Sequence, residues 1–228
     1  IEKSVGFVKL SNSRTTIIID AAPPPMGKKA VKADASTLAF EMVSGQRRIF
    51  TSCGPGYLFG SNLSSASRQT SSHCVVYIDN QNSSQFSDKE SWLKIPKKVI
   101  INGPRNVPKE ISNDQGICIF EGAHDGYVKS HGLTHVRKLK LAQDGQTFEG
   151  EDLIIAIEDS HKRQFDKISK KTSRGSLSVK AAFHLHPDVT LRWDQKNHFI
   201  SLALKNGEVW IFNYSLDFNL DLQPTVFF

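Results

Sequence analysis

The sequence predicts an all-β fold, a large antiparallel β-sandwich of many short strands. Three observations carry that reading. Apolar residues recur with a period of two, Gly- and Asn-containing turn signals separate the runs, and helical periodicity is scarce. With 228 residues and 39% hydrophobic content, a single domain spanning residues 1–228 can bury a sizeable core. No internal repeat or composition break divides it.

Taken in order, Gly6-Phe7-Val8-Lys9-Leu10 opens the strand pattern. Leu38, Phe40 and Met42 share one face of a strand, with Thr37, Ala39 and Glu41 opposite. Val75 and Tyr77 alternate with Val76 and Ile78 in a doubly apolar strand, as expected where both faces are covered. Ile117 and Ile119, then Leu153, Ile155 and Ile157, then Ile200, Leu202 and Leu204 continue the alternation. Turns fall at Ser44-Gly45, Asn102-Gly103-Pro104, Asp144-Gly145 and Asn206-Gly207, the last being the clearest hairpin. Two segments interrupt the strands. Ser61 to Ser72 is Ser-rich and reads as an exposed loop carrying Arg68 toward His73. Ser160 to Ser176 is basic and reads as a loop or a short surface helix.

Composition narrows the functions. No apolar run approaches the roughly 20 residues of a membrane helix, so no membrane span is expected. Ile1 is not followed by a basic stretch and an apolar segment, so no secretory signal is read. The formal charge of +6 concentrates in Lys28-Lys29, Arg47-Arg48, Lys97-Lys98, Arg137-Lys138-Lys140 and Lys162 to Arg174. Such clusters attract polyanions, although most charge runs simply solvate a surface. Aromatic-rich RNA-binding signatures are missing, so nucleic acid is not an expected partner. Cys53, Cys74 and Cys118 lack the CxxC spacing of zinc or redox motifs and read as reduced core thiols.

Candidate chemistry gathers around histidine. Six of the eight histidines lie in or beside strand-like segments, where imidazoles can titrate near neutral pH or bind a metal. His184 and His186 share one strand face, with Phe183 and Leu185 on the other; a structural pair of histidines is the ordinary alternative. His135 and Arg137 share a face with Leu139 and Leu141, which suits a strand running from core into groove. Ala123-His124-Asp125-Gly126-Tyr127 sets an imidazole, a carboxylate and a phenol within five positions. Asp beside His can fix a tautomer, and a phenol can move a proton if its pKa is lowered.

These blocks resemble the C-terminal β-domain of heparinase II/III-like polysaccharide lyases. The resemblance rests on Ala33 to Glu41 (ADASTLAFE), Arg68 to Val75 (RQTSSHCV), Ala123 to Tyr127 (AHDGY), His131 to Arg137 (HGLTHVR), Gly150-Glu151-Asp152 and Phe183 to Val189 (FHLHPDV). They are spread over nearly the whole chain in the family's order, and Gly6 to Leu10 looks like that domain's first strand. The resemblance implies a many-stranded sandwich following an α/α-toroid domain, which is absent here, so the chain reads as a fragment. It also implies β-elimination on uronic-acid polysaccharide, a reaction needing carboxylate neutralisation, a base for the C5 proton and an acid for the leaving oxygen. The family's tyrosine acid/base comes from the helical domain, so the isolated chain is expected to be inactive.

The residues carried over are His73, His135 and Arg68 as catalytic, with His124, Tyr127, Arg137 and His186 contacting substrate. Arg68 and His73 are expected to face the same polar concavity as His135. The resemblance further implies a metal set at Asp34, Cys53 and His73. Asp34 stands where the family has His, and Ser52 or Cys53 where it has Asp, so only His73 is retained. Each type can ligate zinc, yet the two departures make no cofactor the expectation and zinc the exception. The expected partners are acidic polysaccharide and an N-terminal toroid domain. A catalytically degenerate polysaccharide-binding or structural module is the alternative function.

Overall fold

The computed structural model describes residues 1–87, 99–171, 176–214 and 219–224. Lys97, Lys98 and Arg174 lie outside these residues, as does part of the 160–176 segment. Strands dominate, in antiparallel sheets, so the all-β expectation holds. A five-stranded meander runs β1 (Glu2–Ser4), β2 (Phe7–Asn12), β3 (Thr15–Asp20), β4 (Phe40–Ser44) and β5 (Arg47–Phe50). The Gly6 to Leu10 run is therefore the second strand, because Glu2–Ser4 pairs ahead of it. Three short strands follow: β6 (Val76–Ile78), β7 (Gln85–Phe86) and β8 (Ile100–Asn102). A four-stranded sheet, ordered β12-β11-β10-β9, comprises β9 (Lys109–Asp114), β10 (Ile117–His124), β11 (Thr134–Leu141) and β12 (Phe148–Ile155). Next come β13 (Val179–Ala181), paired with β6, and a three-stranded sheet of β14 (Thr190–Asp194), β15 (Phe199–Ala203) and β16 (Val209–Asn213).

Alternation explains which face is buried. Val8 and Leu10, Ile17 and Ile19, Phe40 and Met42, and Ile49 point inward from the first sheet. They meet Cys118 and Phe120 of β10, and Leu139 and Leu141 of β11, while Ile200, Leu202 and Leu204 close the same core. The period-two reading was right for β10 and β12, but their apolar rows face outward. Ile117, Leu153 and Ile155 are exposed, as is Ile157 beyond the strand. The inward rows are Cys118, Phe120, Gly122 and His124, and Phe148, Gly150, Asp152 and Ile154, so polar groups occupy core-facing positions at one end of the sheet. The Asn206-Gly207 turn joins β15 to β16, with Gly207 at φ +86°.

Helices are few and short: α1 (Ser61–Ala66), α2 (Val128–His131) and α3 (Asp159–Ser169). The Ser61 to Ser72 segment is thus a helix and a 3-10 turn over Thr70–Ser72 rather than an exposed loop, with Ser67 and Thr70 buried. Of the two readings of the basic segment, the surface helix holds over Asp159–Ser169. Among the described residues no helix is long and apolar enough to cross a membrane.

Candidate functional site

The pairing of β10, β11 and β12 brings a group of buried polar side chains together. His124 lies directly opposite His135, and Arg137 lies between Gly122 and Asp152. Gly122 leaves room for the Phe120 ring beside this network, since a Cβ there would lie 2.6 Å from Phe120 Cζ. The Arg137 guanidinium sits 5.5 Å from the centroid of Phe40. It binds Asp152 through Nε to Oδ1 at 2.7 Å and Nη2 to Oδ2 at 2.8 Å. Its Nη1 donates to the carbonyls of Leu38 at 2.7 Å and Cys74 at 2.8 Å. The side chain is 1% exposed and fastens three segments together.

The two imidazoles extend this network with fixed protons. The Gly126 N–H donates to His124 Nδ1 at 3.1 Å, so that nitrogen carries the lone pair. The proton of neutral His124 therefore sits on Nε2, which faces His135 Nδ1 at 3.2 Å. His135 must then donate from Nε2 to Asp152 Oδ1, 2.7 Å away. Every step runs one way, from Gly126 to Asp152. Adding a proton to His124 sets it against the Gly126 N–H, and adding one to His135 sets two donors face to face. Burial, reinforced at His124 by the neighbouring His135 and at His135 by Arg137, holds both imidazoles below their ordinary pKa. Burial works against the charge on Asp152, but Arg137 and His135 outweigh it and hold the carboxyl below the usual range.

The other expected residues fall into separate groups. Tyr127 is fully buried, its hydroxyl donates to the Val76 carbonyl at 3.3 Å, and burial raises its pKa. A phenol so placed is a poor proton carrier. His73 is 4% exposed with Nδ1 3.0 Å from Ser52 Oγ, and its Nε2 has no partner among the described residues. Burial, then the nearby His184, pushes it down to about 4. His184 lies with Nδ1 3.6 Å from Cys53 Sγ and Nε2 2.8 Å from the Ser71 carbonyl. Burial opposes its charging, but the Cys53 contact and that carbonyl raise its pKa overall.

Arg68 donates from Nη2 to the carbonyls of Ala30 and Ala33 and from Nε to Ala33, and lies 3.7 Å from Asp34. Burial lifts Asp34 to about 6 against the pull of Arg68, with Asp20 adding to the rise. His186 stands apart from His184. Its Nδ1 accepts the Asp188 N–H at 3.2 Å beside Arg47, Arg48 and Lys205, in a cleft of about 150 Å³.

The structure thus joins His124, His135 and Arg137 in one network, with Tyr127 packed 5.6 Å from the His124 ring. It places Arg68, His73 and His186 in three other bonding groups. His73 approaches the network through the backbone of Cys74, whose carbonyl receives Arg137. The zinc set does not fit. Asp34 faces Arg68 while Cys53 faces His184, and the described residues contain no cluster of three metal-type ligands. The sequence marks Asp152 only as part of the Gly150-Glu151-Asp152 block and gives no role to it, although the network converges on this anion. Its inward position in the alternation Phe148, Gly150, Asp152, Ile154 was the available signal, needing only the β11–β12 register to pair it with Arg137.

The model of the family described as heparinase II/III-like, C-terminal, matches residues 3–228. FtsZ-localized protein C of Caulobacter vibrioides is 27% identical over 226 residues, covering 98% of this chain and 37% of that protein. The chain therefore spans well under half the length of this curated relative. A solved structure of a lysine-methylated heparinase III superposes with a TM-score of 0.61 at 16% identity, covering 89% of this chain and 26% of that one. At that identity the likeness is one of fold.

Proposed function

Because the chain belongs to the heparinase II/III-like, C-terminal family, we propose that residues 1–228 form one β-domain of a polysaccharide-lyase-like protein. Its role is to hold an acidic, uronate-containing polysaccharide or to support a neighbouring toroid domain, without carrying out β-elimination alone. One observation carries this reading. The groups best suited to proton transfer and charge neutralisation, His124, His135, Arg137 and Tyr127, are each at most 1% exposed and are bonded to one another or to backbone. A lyase site must present its base, acid and carboxylate partner to the sugar, because only contacts made in the transition state raise the rate. Sealed groups serve the fold instead.

The test is incubation of the 228-residue chain with heparan sulfate and alginate, following the ultraviolet absorbance of unsaturated uronate ends. No rise above buffer is expected. A clear rise that disappears in His73→Ala overturns the reading.

A second reading is favoured by the relative that matches nearly the whole chain, whose name records localisation with FtsZ. On that reading the sandwich is a protein-interaction module. Co-sedimentation with FtsZ polymers, alongside no binding to glycans, distinguishes it.

A further inference from the structure

With Arg68 and Arg137 committed to backbone and Asp152, cations that could meet an external polyanion lie elsewhere. Two exposed basic surfaces stand out. The cleft at Arg47, Arg48 and Lys205 also contains Asp188, which pairs with Lys205 and lies 4.0 Å from His186, so its charge is partly cancelled. The outward face of α3 is the stronger field.

This helix divides cleanly. Phe165 packs against Ile78, Tyr127 and Leu133, and Gln164 Nε2 donates to the Lys129 carbonyl at 2.7 Å, which fixes the inward side. Lys162, Arg163, Lys167, Lys170 and Lys171 are exposed on the other side, with the carboxylates Asp159 and Asp166 among them. Lys162 is tied to Asp159 at 3.2 Å. Arg163 and Lys167 stand one turn apart, about 6 Å along the axis, and Lys171 follows in the turn just beyond the C-cap Lys170. Like charges at this spacing repel and weaken a helix by a few tenths of a kcal/mol per pair. Cations near a helix C-terminus are favoured by the dipole, but Lys162 and Arg163 lie at the N-terminal end, where it disfavours them.

We infer that the outward face of α3 is the surface by which this domain holds a linear acidic polysaccharide, through Arg163, Lys167 and Lys171. The inference rests on the binding reading above and moves the contact away from the buried histidines. The same three side chains line a shallow groove of about 450 Å³ together with Gln164 and Ile168. A linear polyanion meets such a row without needing a deep pocket. Bases would stack on aromatic side chains, and this outward face has none. A bilayer would take up a broad apolar face; of the two apolar residues of α3, Phe165 packs on the domain and only the half-buried Ile168 lines the groove.

The experiment titrates the 228-residue chain against a labelled heparin oligosaccharide at two salt concentrations. It compares Arg163→Gln/Lys167→Gln/Lys171→Gln with Arg47→Gln/Arg48→Gln/Lys205→Gln, which removes the same charge at the cleft. The helix variant is expected to lose about tenfold in affinity, as three surface charge contacts would give. It should also show a shallower salt dependence, since fewer counterions are displaced. The cleft variant should lose little affinity, and neither variant should melt below the wild-type temperature. Equal losses, or a larger loss at the cleft, overturn the inference and leave the binding reading in place. No binding by wild type overturns both. Tighter binding to single-stranded DNA or to phosphatidylglycerol vesicles than to heparin overturns the choice of glycan.

Discussion

Arg137→Ala is expected to destabilise the domain by about 3–5 kcal/mol, the cost of leaving one member of a buried ion pair without its partner. Asp152 would keep its charge without a guanidinium, and the carbonyls of Leu38 and Cys74 would lose their donor. Against a total stability of roughly 5–15 kcal/mol for an ordinary domain, that loss is severe. Urea denaturation gives the number, and far-ultraviolet circular dichroism shows whether any fold survives at 25 °C. Arg137→Met combined with Asp152→Leu should recover part of the loss, because no uncompensated charge then remains. Recovery would be incomplete, since His135 Nε2 still loses its acceptor. A loss below about 1 kcal/mol for Arg137→Ala would mean that the guanidinium is solvated and available for substrate.

The second large effect is acid sensitivity at mildly acidic pH. His73, His124 and His135 all have folded pKa values below the unfolded one of about 6.5. The folded chain keeps these rings neutral while the unfolded chain takes up protons, so stability falls as pH drops below about 6.5. For His73 the fall continues to about 4, a span worth roughly 3 kcal/mol at 1.36 kcal/mol per unit. Asp34, Asp20 and His184 act in the opposite sense, because their folded pKa values are raised. Three buried imidazoles outweigh them, since Asp34 is partly exposed and solvent screens its contribution. Asp152 adds its own loss only below its unfolded value near 3.9. The urea midpoint should therefore fall between about pH 7 and pH 5, with a smaller fall in His73→Gln. A midpoint that stays level or rises over that range contradicts the sealed network.

What the sequence disclosed and what it hid have a common cause. Alternation and turn chemistry are local, so the strands at Phe40 to Met42, Val76 to Ile78 and Ile200 to Leu202 and the Asn206-Gly207 hairpin were legible, although Leu38, in a turn at φ +66°, and Val75 fall just before their strands. Which of two alternating rows is buried depends on what packs above the sheet. In β12 the apolar row Leu153 and Ile155 faces solvent while Asp152 faces the core. The pairing of His135 with Arg137 on one face was visible from their spacing. Their bonding was not, because the acid they share comes from another strand and a one-residue change of register would remove it. Arg68 illustrates a further limit. A cation in a Ser-rich segment reads as solvent-facing, yet its acceptors are the carbonyls of Ala30 and Ala33, which composition does not mark.

The central claim is that His124 and His135 are neutral, sealed parts of a structural chain and not a working acid and base. Nitrogen-15 NMR of the imidazoles across a pH titration tests it most directly. The account predicts that both rings stay neutral, with the proton on Nε2, until the protein unfolds in acid, and that an acidic oligosaccharide leaves their signals unmoved. Reversible protonation of either ring near pH 6.5 in the folded protein, or a shift of its signals on adding the oligosaccharide, would contradict it.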